Sequence, residues 1–114
     1  MSKAATIDRA VFAELQDTAG ADFAKELLQT FFEEAPVMLS QLREARAGGD
    51  ADAFRRAAHS LKSNSLTFGA LALADMARGL ELEGLAGAQQ AQAVAALDAE
   101  YERAAAALAA LTHE

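Results

Sequence analysis

The feature that most constrains this chain is the recurrence of apolar residues three or four positions apart, in one segment after another. Such spacing places side chains on one face of an α-helix. The longest example alternates steps of three and four and consists of Val94, Leu97, Tyr101, Ala104, Leu108 and Leu111. Residues that favour β-strands are sparse, whereas strong helix formers such as Ala, Leu and Glu are abundant. The sequence therefore predicts an all-α fold.

Glycines divide the apolar pattern into five predicted helices. Pro36 lies within the second segment, where a proline would break or kink a helix. Because the apolar spacing continues on both sides of Pro36, we predict one long kinked helix there, with Phe23 at the start of its inner stripe. The predicted helices cover approximately residues 7–18, 22–47, 51–67, 70–83 and 88–112.

Four of these helices are long, have a single apolar stripe and are joined by short loops. Such helices form an antiparallel up-down four-helix bundle, on which the short N-terminal helix would pack as a cap. A chain of 114 residues is too short for two deep cores. We therefore expect residues 1–114 to form a single helical domain.

Composition and charge exclude several classes of protein. The chain has no cysteine, which excludes disulfides, thiol catalysis and cysteine-ligated zinc. Its net charge of −7 argues against nucleic-acid binding, although residues 43–62 carry five basic and three acidic side chains. No apolar run approaches the roughly 18 residues of a membrane span, and Asp8 and Arg9 interrupt any signal sequence. We expect a soluble cytoplasmic protein that does not bind membranes.

The third predicted helix contains an unusual stretch, AHSLKSNSLTFGA, from Ala58 to Ala70. At about 100° per residue, one narrow stripe of this helix faces the core, and His59 lies about 140° from it. His59 should therefore face solvent, with Arg55 and Lys62 beside it on the same face and Ser63 one turn further on. The stripe consists of Phe54, Ala58, Leu61, Ser65 and Phe68.

An exposed imidazole between two cations suits phosphoryl transfer. The ring is mostly neutral near pH 7 and is then a competent nucleophile. Lys62 is placed to neutralise the charge of a phosphoryl group on His59, and Arg55 could assist from the other side. An ordinary surface histidine is the alternative interpretation.

These residues resemble the signature of the histidine phosphotransfer (HPt) domain family. In that signature the phosphoacceptor histidine is followed by a hydrophobe at the second position, a lysine at the third, a glycine at the fourth and then small residues. The chain supplies His59, Leu61, Lys62, Asn64 and Ser65, with Gly69 and Ala70 downstream. Ser63 departs from the pattern, which has glycine at that position. The order and spacing of further segments are also similar, and these are IDRAVFAELQ, DFAKELLQTFFEEAP, LREARAGGDADAFRRAAHSLK and ALADMARGLE.

The resemblance implies a phosphorelay intermediate that exchanges a phosphoryl group with response-regulator receiver domains or a hybrid histidine kinase. It implies a monomer without its own kinase activity, nucleotide site or cofactor, since the required Mg²⁺ would belong to the receiver. It also implies a docking surface near His59, for which Leu66, Glu81 and Arg56 are candidates. Glu81 matches a position that in the family often contacts the site, usually as Gln or Glu. Alternatively, Leu66 is buried under the first helix and Glu81 is an ordinary solvated side chain.

Other functions are compatible with parts of the sequence. A helical adaptor that binds receivers without carrying phosphate would be expected to lose His59 or Lys62. A phosphoacceptor module of a chemotaxis-type kinase shares the signature, although Met1 and the C-terminal helix favour a stand-alone protein. A metal site would have only His59 and His113 as histidine ligands, so we predict none. An enzyme with a histidine base would need a nucleophile or partner acid that the sequence does not offer.

The serine in place of the family glycine generates the first prediction. Ser63 adds a Cβ and a hydroxyl about one turn from His59, where a receiver would dock. We expect Ser63→Gly to transfer phosphate faster or to more receivers, measured as initial rates against a panel of phosphorylated receiver domains. Unchanged rates across the panel would mean that the serine is neutral.

Overall fold

The described part of the chain is helical. The computed structural model describes residues 6–86 and 90–112, and these contain no strand. The predicted helix ends agree with the observed ones to within two residues, except that residues 88 and 89 lie outside the described part. No described helix has the length and apolar character needed to cross a membrane. The helices are α1 (Arg9–Ala19), α2 (Ala21–Gly48), α3 (Ala51–Thr67), α4 (Leu71–Glu83) and α5 (Gln90–Thr112), with a 3₁₀ turn (Gly84–Ala86) after α4.

The turn between α2 and α3 follows from two adjacent residues. Gly49 has a left-handed backbone (φ 70°), and its N–H donates to the carbonyl of Ala45 at the end of α2. Asp50 caps α3, because its side chain accepts a hydrogen bond of 3.0 Å from the Ala53 N–H. This pair ends one helix and starts the next within two residues.

The long second helix is continuous. It runs from Ala21 to Gly48 with Pro36 inside it, which confirms the prediction of one long helix, whereas the kink stays a prediction. Ala35 and Leu39, on either side of the proline, are both buried. Packing of the apolar stripe on both sides of Pro36 therefore outweighs the hydrogen bond that the proline cannot make.

One hydrophobic cluster includes residues from all five helices. Helix α3 packs against α2 and α4, α5 packs against α4 and α2, and α1 packs against α2 and α3. The ring of Phe31 lies 5.1 Å from that of Phe68 and 6.0 Å from that of Tyr101. The largest fully buried side chains are Phe54, Leu28, Leu42, Leu61, Leu73, Leu97, Leu108 and Ser65.

Phe23 differs from the prediction. The sequence placed it on the inner stripe of the second helix, but it is 52% exposed. Its neighbour Ala24 is fully buried, and consecutive helical residues point about 100° apart. The orientation of α2 that buries Ala24 and Leu28 places Phe23 on the solvent-facing side of the helix.

Helix α1 is attached to the turn between α3 and α4 through Gly69. The N–H of Asp8 donates a hydrogen bond of 2.7 Å to the Gly69 carbonyl. Gly69 has φ +77°, and a Cβ added there would lie 2.6 Å from the Asp8 carbonyl oxygen and 3.0 Å from Val11 Cβ. Only glycine fits this position without moving α1.

We expect Gly69→Ala to destabilise the protein more than Gly49→Ala. Both glycines have a positive φ, which costs a residue with a Cβ about 1–2 kcal/mol, but a Cβ at Gly49 would meet nothing within 4 Å. Only Gly69→Ala should add the cost of displacing α1. Urea unfolding of both variants measures the difference, and equal losses would show that the contact with Asp8 contributes nothing.

Candidate functional site

The orientation of α3 about its own axis points His59 toward solvent. All five residues of the predicted inner stripe of this helix are buried. The His59 side chain is 57% exposed. The predicted exposure of this histidine is therefore confirmed.

A single carboxylate, that of Glu81 on α4, connects His59 and Lys62. Its Oε2 lies 2.8 Å from His59 Nδ1. Its Oε1 accepts a hydrogen bond of 2.9 Å from Lys62 Nζ. The side chains of Glu81 and Lys62 are only 24% and 23% exposed, so the bridge is half-buried between α3 and α4 while the ring projects beyond it. The solvated-glutamate alternative for Glu81 is wrong.

The charge of Glu81 determines which nitrogen of the ring carries a proton. The hydrogen bond from Lys62, followed by the one with His59, lowers the pKa of Glu81 below its usual value. Glu81 is therefore ionised at neutral pH, and an ionised carboxylate only accepts hydrogen bonds. Nδ1 of His59 must then be the donor. In a neutral ring this leaves Nε2 unprotonated, with its lone pair directed away from Glu81.

Arg55 lies near the end of α4. Its guanidinium is 3.5 Å from where a Cβ of Gly84 would lie, and it forms a long ion pair of 3.8 Å with Asp52. It lies one turn before His59 on α3, as the sequence indicated. Its assistance to a phosphoryl group on His59 stays a prediction.

The other predicted site residues on α3 are all exposed. Ser63 is exposed one turn further along α3. Arg56 is exposed and lines a cleft between α2 and α3 with Ser60 and Glu44. Leu66 is 49% exposed, so its burial under α1 is wrong. Leu66 instead lies with Lys62, Leu71, Ala74, Asp75 and Arg78 in a groove between α3 and α4.

Within residues 6–86 and 90–112, no three histidine, aspartate or glutamate side chains are grouped as metal ligands. His113, the second histidine of the weighed metal site, lies outside the described residues. The candidate site consists of the three side chains joined by hydrogen bonds, His59, Lys62 and Glu81.

The sequence analysis missed that one carboxylate serves both His59 and Lys62. It also missed the groove residues Asp75 and Arg78 beside Lys62. The sequence did contain a signal for the position of Glu81, because the buried stripe of α4 includes Ala77 and Leu80. Glu81 follows Leu80 directly and falls on the flank of that stripe.

The chain is similar to known proteins in sequence and in fold. The family model of the Hpt domain matches residues 26–107. The crystal structure of histidine-containing phosphotransfer protein B (HptB) from Pseudomonas aeruginosa PAO1 is similar, with a TM-score of 0.88 and 28% sequence identity over 97% of each chain. No curated protein sequence matches the chain.

The family match covers most of the chain and defines the class of protein, the histidine phosphotransfer domains. The chain belongs to the Hpt domain family, and its function is histidine phosphotransfer in two-component signalling.

Proposed function

We propose that Nε2 of His59 is the atom that accepts the phosphoryl group and passes it on. The observation that carries this proposal is the hydrogen bond between His59 Nδ1 and the ionised Glu81. It accounts for the ring proton and directs the lone pair of Nε2 away from the protein. The exposure of the ring supports access by a second protein's active site.

Lys62 supplies the positive charge of the site. In the resting protein its ammonium donates to Glu81, and an ammonium has three donors, so others remain for a phosphoryl oxygen. A phosphorylated side chain carries between one and two negative charges near neutral pH. Lys62, three residues after His59 on the same side of α3, is placed to offset part of that charge in the transition state and in the product.

The proposed partners are receiver domains and a hybrid histidine kinase. These supply what the carrier lacks: the kinase takes phosphate from ATP, and the receiver contributes the aspartate and the Mg²⁺. The carrier itself is then neither an enzyme nor a cofactor protein. Arg56 and Leu66, exposed on the same helix as His59, are proposed to lie in the docking surface, with Ser63 at its centre.

We further propose that residues 1–114 form one domain, a monomeric antiparallel up-down bundle. The short connections support this arrangement, because Gly49 and Asp50 alone separate α2 from α3, and Phe68–Ala70 separate α3 from α4. Helices joined so closely and packed side by side must reverse direction. A cytoplasmic location follows from the proposed partners, whose phosphate comes from ATP. Neither nucleic acid nor a membrane takes part.

Replacing the acceptor tests the proposed function. We expect wild-type protein incubated with a ³²P-labelled phosphorylated receiver to take up label that is acid-labile and base-stable. His59→Gln should abolish the label and leave the circular dichroism spectrum unchanged, because the side chain is exposed. The matched control is His113→Gln, which removes the chain's other histidine. Label that persists in His59→Gln would reject His59 as the acceptor.

Lys62→Ala should slow the transfer about 10- to 100-fold, since it removes one charge-assisted contact worth about 1.5–3 kcal/mol. Rapid-quench measurement of the transfer rate from a phosphorylated receiver tests this. Lys25→Ala, at an exposed position on α2, controls for the loss of a positive charge elsewhere. Equal rates in wild type and Lys62→Ala would remove Lys62 from the mechanism.

A further inference from the structure

A groove between α3 and α4 adjoins the candidate site. Its volume is about 250 Å³, and its lining consists of Lys62, Leu66, Leu71, Ala74, Asp75 and Arg78. We propose that this groove receives an apolar side chain of the docked receiver domain, and that Asp75 and Arg78 select among receivers by their charge. This inference rests on the proposed function of His59, because the partner is one that exchanges phosphate with that ring.

The part of the groove nearest to α3 is apolar. Leu66 is 49% exposed, whereas Ala74 is buried and Leu71 is half-buried. A partner's apolar side chain that enters the groove removes Leu66 from water, which stabilises the complex. Interfaces have such an apolar centre even where their rim is polar. The groove therefore suits one large apolar side chain, such as that of leucine or phenylalanine.

Leu66 lies close enough to His59 to be covered by a partner that reaches the ring. The two residues are seven positions apart on α3, so their side chains are about 20° apart around the helix and about 10 Å apart along it. A small transient interface buries about 600 Å² on each partner, which corresponds to a patch of about 14 Å radius. Lys62 lines the groove and also donates to Glu81, the residue that contacts His59. A receiver centred on the ring therefore covers the groove.

Two opposite charges at the α4 edge of the groove are available to a partner. Asp75 and Arg78 are exposed and three positions apart, a spacing at which an acidic and a basic side chain can pair on a helix. Within residues 6–86 and 90–112, however, neither side chain forms an ion pair or a hydrogen bond. Lys62, the other charged residue of the groove, is already paired with Glu81.

These two charges act on the choice of partner more than on the strength of binding. Charges at the rim of an interface steer the encounter, and like charges brought together are penalised. Such repulsion is one way in which a protein distinguishes related partners. The preferred receiver carries an acidic residue for Arg78 and a basic residue for Asp75, next to the apolar side chain that enters the groove. A receiver with the opposite arrangement is rejected.

The cleft on the other side of α3 is less suited to an apolar contact. It lies between α2 and α3 and has a volume of about 700 Å³. Its polar and charged lining residues are Gln41, Glu44, Asp50, Arg56 and Ser60. An apolar side chain placed there would take these groups out of water without pairing them, which costs free energy. The apolar contact is therefore assigned to the α4 side of the site.

The charge selection is tested by exchanging the two charges. The double variant Asp75→Arg with Arg78→Asp keeps the net charge, and Lys25→Glu with Glu26→Lys makes a similar exchange at exposed positions on α2 as a control. Wild type and both variants are phosphorylated with phosphoramidate, a small donor that needs no docking partner. Each is then mixed with increasing concentrations of several Mg²⁺-loaded receiver domains that accept phosphate from wild type. The data give a maximal rate and a half-saturating concentration for each receiver.

We expect the exchange of Asp75 and Arg78 to reorder the receivers. The half-saturating concentration should rise about tenfold for the receivers that wild type prefers and fall for those with the opposite charges, and high salt should reduce both changes. The α2 control should keep the wild-type order. A merely structural role would slow transfer to every receiver by the same factor, and that result or an unchanged order would overturn the charge selection.

The apolar contact is tested by Leu66→Ala. We expect this variant to raise the half-saturating concentration about tenfold for every receiver, with little change in the maximal rate. Val37→Ala, which shortens an exposed apolar side chain on α2, is the control. Equal values for these two variants would overturn the groove as the apolar contact. A wild type that takes phosphate neither from phosphoramidate nor from a receiver would instead overturn the proposed function.

Discussion

The site depends on the burial of one stripe of α3. Four side chains of this helix and that of Phe68, which follows it, are buried, and their packing fixes the orientation of α3 about its own axis. A rotation by the angle of a single residue, about 100°, would turn His59 toward a neighbouring helix. The packing of apolar side chains therefore determines that the imidazole of His59 is exposed to solvent.

On this scaffold a single carboxylate organises the polar groups. Glu81 accepts from Lys62 with one oxygen and from His59 with the other. The lysine lowers the pKa of the glutamate, the ionised glutamate determines the tautomer of the histidine, and that tautomer leaves Nε2 unprotonated. Each of these interactions contributes only a small free energy, because the groups are partly exposed to solvent. Their combined effect is to orient the imidazole ring, because Glu81 holds the Nδ1 proton.

Much of this could be predicted from the sequence, because the relevant signals are local. Periodicity located the helices, including continuity across Pro36, and placed His59 on the outer face of α3. The prediction for Phe23 was wrong because a broad apolar stripe does not reveal which edge a neighbouring helix covers. The double role of Glu81 depends on the register between α3 and α4. That register is set by three residues of turn and by packing, which no periodicity in either helix encodes.

Because the site depends on the register between α3 and α4, Gly69 affects the site although it does not contact His59. This glycine lies in the turn that joins the two helices carrying His59 and Glu81, and α1 is fastened to it through Asp8. A slip of one helix along the other by one residue is a movement of about 1.5 Å, more than a hydrogen bond of 2.8 Å tolerates. The turn thus sets the spacing between His59 and Glu81, and a substitution at Gly69, ten positions from His59 along the chain, would change the surroundings of the imidazole without contacting it.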